Sequence, residues 1–229
     1  MNNFYRFENE NMDFPFYNGI PMLSSKDWLF LLAGVLVFIA TLIIPANIDD
    51  NTTSLILCLS VLLPLAYVCR GRFELLFRKP ERKDIKIIIA CLIAYFIYSI
   101  VMGILLENLG LAPTTNAAVE SNMDLVFWIM TFIQLLGEEL FRVSIFLIMM
   151  HALFNIASRK LSIILSTIVA LLIFGLMHVN TYGGALAHII LIIGLGGIFY
   201  FYAYLKTKNV ILSYIIHILI DVIALTLPI

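Results

Sequence analysis

The chain has 229 residues, 62% of them hydrophobic and 13% charged, with a formal net charge of −1. Soluble domains average about 45–50% apolar and about 25% charged residues, so this chain has too little polar surface to cover itself in water, and a lipid environment is implied. The near-zero charge gives no reason to expect nucleic acid or acidic partners. Cys58, Cys69 and Cys91 lie in or beside apolar stretches, which points to neither a disulfide framework nor a thiol site.

Residues 1–26 form an N-terminal segment that is amphipathic and aromatic (Phe4, Tyr5, Phe7, Phe14, Phe16, Tyr17), expected at the cytoplasmic interface of the membrane. They do not read as a signal peptide, because the first apolar run is long enough to stay as a span. Residues 27–229 read as a transmembrane helical domain. A span needs about 20 apolar residues, and seven runs qualify: about 28–45, 53–69, 86–107, 125–155, 161–178, 184–205 and 210–228. The fourth is too long for a simple crossing. It tilts, protrudes, or breaks near Gly137, and a break would make eight spans. The fold class is therefore all-α, a polytopic transmembrane helix bundle of about seven spans, with eight as the alternative.

Orientation follows from the bases. The loop 70–86 carries Arg70, Arg72, Arg78, Lys79, Arg82, Lys83 and Lys86; Arg159 and Lys160 follow the fourth span, and Lys206 and Lys208 the sixth. The intervening loops hold Asp49, Asp50, Glu107, Glu120 and Asp124 and no base. This alternation predicts a multi-pass protein of the cell membrane with its N-terminus in the cytoplasm and its C-terminus outside.

Within the spans the charges reduce to Glu138, Glu139, Arg142 and Asp221, joined by His151, His178, His188 and His217. A charge at membrane depth costs about 2.5–3.5 kcal/mol on insertion scales, so each needs a partner or a purpose. Glu138 and Arg142 are four residues apart on one helix, as are His217 and Asp221, and Phe174 and His178. Glu139 lies about 100° round from Glu138 but within reach of Arg142. Three helices thus each present a polar face, and the faces are expected to meet. A carboxylate beside a neutral imidazole polarises a water, and a second imidazole can donate to the oxyanion formed on a carbonyl. That set suffices for amide hydrolysis without a serine or cysteine nucleophile.

The segments Gly137-Glu-Glu-Leu-Phe-Arg142, Phe174-Gly-Leu-Met-His178 and His217-Ile-Leu-Ile-Asp221 resemble the three signature motifs of the CAAX prenyl protease and bacteriocin-processing (CPBP) family of intramembrane proteases, described as glutamate proteases or metalloproteases. The similarity covers about residues 125–225. It implies an intramembrane endopeptidase acting on a peptide or membrane-associated protein substrate, with Glu138 and His178 activating water, His217 and Asp221 holding the oxyanion or orienting the carbonyl, and Glu139 and Arg142 as a supporting ion pair. Family members usually have three residues between the second Glu and the Arg. Here only Leu140 and Phe141 intervene, which puts Arg142 in register with Glu138 and leaves Glu138 preferred as base with Glu139 open. The last motif position is often Asn; Asp221 can donate only when protonated, or it orients His217.

Helical rise adds an expectation about depth. Counted from the inner-face ends, Glu138 and His178 each lie about 26 Å up, but His217 only about 12 Å, so the last helix should present its motif lower. His151 reads as structural near the inner interface, and His188 as an ambiguous residue of the sixth span. Gly194, Gly196 and Gly197 read as close-packing positions, and the aromatic run Phe199 to Tyr204 as an interfacial belt. No cofactor is expected, since the resemblance favours a metal-free mechanism; the alternative is a zinc site of Glu138, His178 and His217. A non-enzymatic reading stands beside the protease: a bacteriocin self-immunity or membrane scaffold protein that keeps the family fold. A proton-coupled transporter would also bury Glu, His and Asp but predicts internal repeats, and none appears. Oligomeric state has no signal.

Overall fold

The computed structural model describes residues 13–17, 21–44, 47–111, 114, 116, 119 and 122–227. Among these there is no strand, and seven long helical elements follow one another: α1 (Ser25–Ile43), α2 (Asp50–Cys69), α3 (Asp84–Asn108), α4 (Leu125–Leu153), α5 (Arg159–Leu176), α6 (Leu186–Thr207) and α7 (Val210–Thr226). Their starts are chemically marked. Ser24 and Asp27 form a capping box on α1, while Asp49, Asp124 and Ser158 accept from the first free amides of α2, α4 and α5. Two hydrogen bonds from Thr52, side chain then backbone, hold the Asp49 carboxyl below the usual carboxylate range.

Five of the helices, α1, α2, α3, α5 and α6, are long and apolar enough to cross a membrane. The other two fall outside that description for separate reasons. Every 18-residue window of α4 contains Glu138, Glu139 and Arg142, and α7 has only 17 residues. Ile85, Ile89, Ile93, Ile97 and Ile104 of α3 are exposed. A stripe of that kind suits lipid and would be a liability in water. The chain is a multi-pass helical membrane protein.

The fourth helix runs unbroken through Gly137, so the splitting that would have made an eighth span does not occur. Gly137 serves a different purpose. A Cβ there would lie 2.7 Å from Cys58 Cα, so the missing side chain lets α2 come against α4 backbone to backbone. At 29 residues α4 is about 43 Å long, beyond the roughly 30 Å of a bilayer core. It is also the hub, packing against α1, α2, α5 and α7, while α3 lies outside α6 and α7.

The sixth element is helical but irregular: one α turn (Leu186–His188), a π turn (Ile189–Gly194), a 3₁₀ turn (Leu195–Gly197) and then α-helix to Thr207. The irregular part is where α5 touches it. A Cβ on Gly175 would sit 2.7 Å from the Ile189 carbonyl oxygen and 2.8 Å from Gly194 Cα, a contact of two backbones that only paired glycines permit. Gly175→Val is expected to destabilise the protein by about 1–3 kcal/mol through overpacking, read as a lower midpoint in a thermal melt of the detergent-solubilised protein. An unchanged midpoint would mean that the two helices separate easily.

The aromatic run does not form an interfacial belt. Tyr200, Phe201 and Tyr204 are at most 3% exposed, because they face Arg142, Phe146 and His217 across the bundle. The N-terminal segment also departs from a purely interfacial position. Phe14 and Phe16 are buried, with Phe14 against Phe146 and Tyr204; Phe4, Tyr5 and Phe7 lie outside the described residues. Cys58, Cys69 and Cys91 are free and buried.

Helix α7 starts inside the protein. Lys208 and Val210 are fully buried, and Asn209 is tied to the loop after α2: its side chain accepts from Arg78 N at 3.0 Å and donates to Arg78 O at 2.8 Å. Val210 N donates to the Leu76 carbonyl at 2.8 Å. The Arg78 guanidinium caps the end of α6 at the Thr207 carbonyl.

Candidate active site

Three of the sequence-derived residues meet at one point. Glu138 Oε2 stands 3.9 Å from His178 Nε2 and 3.9 Å from His217 Nε2. The height difference expected from helical rise does not keep the three apart: α7 starts at a buried Asn209 held by the loop after α2, and α4 is longer than a bilayer core. Asp221, one turn beyond His217, places Oδ1 3.7 Å from His217 Nε2.

The other oxygen of Glu138 is already engaged. Gln134, one turn earlier on α4, donates to Oε1 at 2.9 Å and itself accepts from Ser54 on α2 at 3.0 Å. This chain across two helices leaves Oε2 as the free edge. The imidazoles are oriented in the same manner. His178 Nδ1 is 2.9 Å from the Phe174 carbonyl and His217 Nδ1 is 2.9 Å from Glu139 Oε1. Both partners can only accept, so each Nδ1 carries a proton and each ring turns Nε2 toward Glu138. Tyr200 stacks on His217 at 4.6 Å between centroids and 13° between planes, which fixes the ring further.

Glu139 is in a different environment. Its side chain is fully buried; Oε1 lies 3.0 Å from Arg142 Nη1, and Oε2 accepts from Ser213 on α7. Arg142 is itself fully buried between two rings, with Cζ 3.9 Å from the Phe174 centroid and 4.3 Å from that of Tyr200. Its nitrogens find no well-aimed hydrogen bond among the described residues, so ion pairing and the ring faces hold it. Arg142 thus pairs with Glu139, three residues away, and not with the register partner Glu138. Both spacings are neighbours on a helix, and the position of α7, with Ser213 and His217 beside Glu139, decides between them.

The two adjacent glutamates are therefore divided. Glu138, His178, His217 and Asp221 line a cavity of about 550 Å³; Glu139 and Arg142 are sealed behind it. His151 is remote, stacked on Trp28 at 4.1 Å near the start of α1. His188 accepts from Thr114 N at 3.2 Å and stacks on Tyr182, and it is not part of the cavity wall.

Sequence reasoning passed over Gln134, Ser213, Ser54 and Tyr200. Gln134 and Ser213 were findable, since each precedes a motif residue by four and shares its helix face; Tyr200 carried no such signal. Ser213→Ala leaves Glu139 Oε2 buried without its donor, and a loss of about 1–3 kcal/mol is expected as a fall in the thermal midpoint. A midpoint within error of the parent protein would show that the hydroxyl contributes nothing. Among the described residues no three of His, Cys, Asp and Glu are disposed as a metal-ligand set.

A helical membrane bundle that holds two carboxylates and two imidazoles against a cavity, with Glu139 neutralised behind them, has the constituents of a water-activating intramembrane site. The match to a known family agrees: residues 121–223 match the model described as type II CAAX prenyl endopeptidase Rce1-like, the grouping that the three motifs resemble. That is a protease family. Comparisons with curated proteins and with solved structures gave no match.

Proposed function

We propose that the protein is an intramembrane endopeptidase in which Glu138 is the general base. The supporting observation is the 3.9 Å spacing of Glu138 Oε2 from both Nε2 atoms, too long for a direct hydrogen bond and suited to one bridging water. Such a water would donate one proton to Glu138 Oε2 and the other to His178 Nε2, leaving an oxygen lone pair for the substrate carbonyl. On attack Glu138 takes the proton from water, and the carbonyl oxygen becomes an oxyanion. As the tetrahedral intermediate collapses, Glu138 returns that proton to the departing amine nitrogen, so the proton count balances.

His217 would stabilise the oxyanion. Its Nδ1 proton faces Glu139, so Nε2 donates only when the ring carries both protons. Glu139 and Asp221, 2.9 Å and 3.7 Å away, are the counter-charges such a ring needs. Glu139 and Arg142 are positioning residues that keep His217 in place. The substrate is a peptide or a membrane-delivered polypeptide.

The test uses the full chain in nanodiscs with a mixed peptide library and mass-spectrometric detection. The parent protein should produce cuts that vanish in His178→Ala and in Glu138→Ala. Cuts that persist in both variants, or no cuts by the parent protein, would overturn the protease reading in favour of a binding or immunity role.

A further inference from the structure

The fold sorts its charges by end. At one end lie the start of α1, the end of α2, the starts of α3, α5 and α7, and the ends of α4 and α6, tied by Arg70 to Asp27 at 3.1 Å, Arg159 to Asp13, and Asn209 to the Arg78 backbone. Every described Lys and Arg except Arg142 belongs to this end. At the opposite end Asn180 donates to the Leu42 carbonyl. The described residues of the connections there, within 44–49, 109–124 and 177–185, include no Lys or Arg, while Asp49 and Asp124 supply acids.

The cavity belongs wholly to the acidic end. Its wall includes Asp50, Asn51, Asn116, Asn180, Thr181 and Tyr182, with Glu138 and Asp221 further in, and no residue of the basic end. The Arg142 guanidinium nearby is sealed behind Glu139. A polypeptide approaching this mouth meets acidic and neutral groups before the two imidazoles further in, and a low-dielectric wall focuses that field. Bases mark the cytoplasmic side of a membrane protein.

Taking the protease reading as its basis, we propose that the site works on the extracytoplasmic face and accepts a cationic segment of a polypeptide that has already crossed the membrane. A free C-terminal carboxylate is disfavoured, since among the described residues no Lys or Arg lines the cavity to pair with it. The scissile bond is then internal to the substrate.

Two measurements test this separately from the chemistry. Asn122→Cys and Lys79→Cys, both at exposed positions, are labelled with a membrane-impermeant maleimide in intact cells. Asn122→Cys should react directly and Lys79→Cys only after permeabilisation; the reverse pattern overturns the sidedness. Next, fluorescent peptides of one length carrying Lys, Gln or Glu, with blocked or free C-termini, are titrated onto the Glu138→Gln protein in nanodiscs. Lys peptides should bind at least about tenfold more tightly than Glu peptides at low salt, with the gap closing as salt is raised. Asp50→Asn should narrow the gap by about threefold. Equal binding, or tighter binding of Glu peptides, overturns the charge preference. Because binding needs no turnover, loss of the protease reading would appear in the cleavage assay and not here.

Discussion

Glu138→Gln is expected to lower peptide cleavage by about 10²–10⁴-fold, the range a positioned general base supplies, while leaving the thermal midpoint nearly unchanged. The amide keeps the size and can still accept from Gln134, but Oε2 loses its charge and its capacity to take a proton. The companion change separates the two adjacent acids. Glu139→Gln removes a carboxylate that touches Arg142 and His217 at 3.0 and 2.9 Å and is away from the cavity. Its main effect should therefore be on stability, with a smaller loss of rate through a displaced His217. Single-turnover cleavage and a thermal melt on both variants decide the matter. If Glu139→Gln abolishes turnover at full stability while Glu138→Gln retains it, the base has been assigned to the wrong residue.

Arg142→Met should be the most damaging change to the fold. It leaves Glu139 buried without its cation, and breaking a buried pair from one side typically costs about 3–5 kcal/mol. The guanidinium also lies between Phe174 and Tyr200, and contacts of that type add about 2 kcal/mol when desolvated. The double variant Arg142→Met with Glu139→Leu should recover much of the loss, because no uncompensated charge remains. Recovery is read as the difference in midpoint between the single and double variants in nanodiscs. A double variant no more stable than Arg142→Met would mean that the ring contacts, and not the charge, carry the effect.

The helices were readable from the chain because membrane spans are written as long apolar runs, and the π turn and 3₁₀ turn of α6 do not interrupt that pattern. Where a structural choice depended on a distant partner, the sequence was ambiguous. Glu138 and Glu139 both lie within one turn of Arg142, and nothing local says which one faces α7; Ser213 and His217, more than 70 positions later, decide it. Depth failed for a related reason. Counting rise assumes that each helix starts at the membrane surface, and α7 starts at a buried Asn209 held by a loop some 130 positions earlier. The aromatic run was misplaced because Tyr and Phe near a basic turn suit an interface as well as a core. Here Arg142 draws two of those rings inward.

The buried start of α7 has a geometric consequence for the imidazole it carries. Because Asn209 is pinned to Arg78, the eight residues from it to His217 set the angle at which that ring meets Glu138 as well as its height. One residue more or fewer in that stretch would turn everything beyond it by about 100° and swing His217 and Asp221 out of the cavity together. The short tie between two loops at the basic end thus acts as the angular reference for chemistry about 12 Å away along the helix.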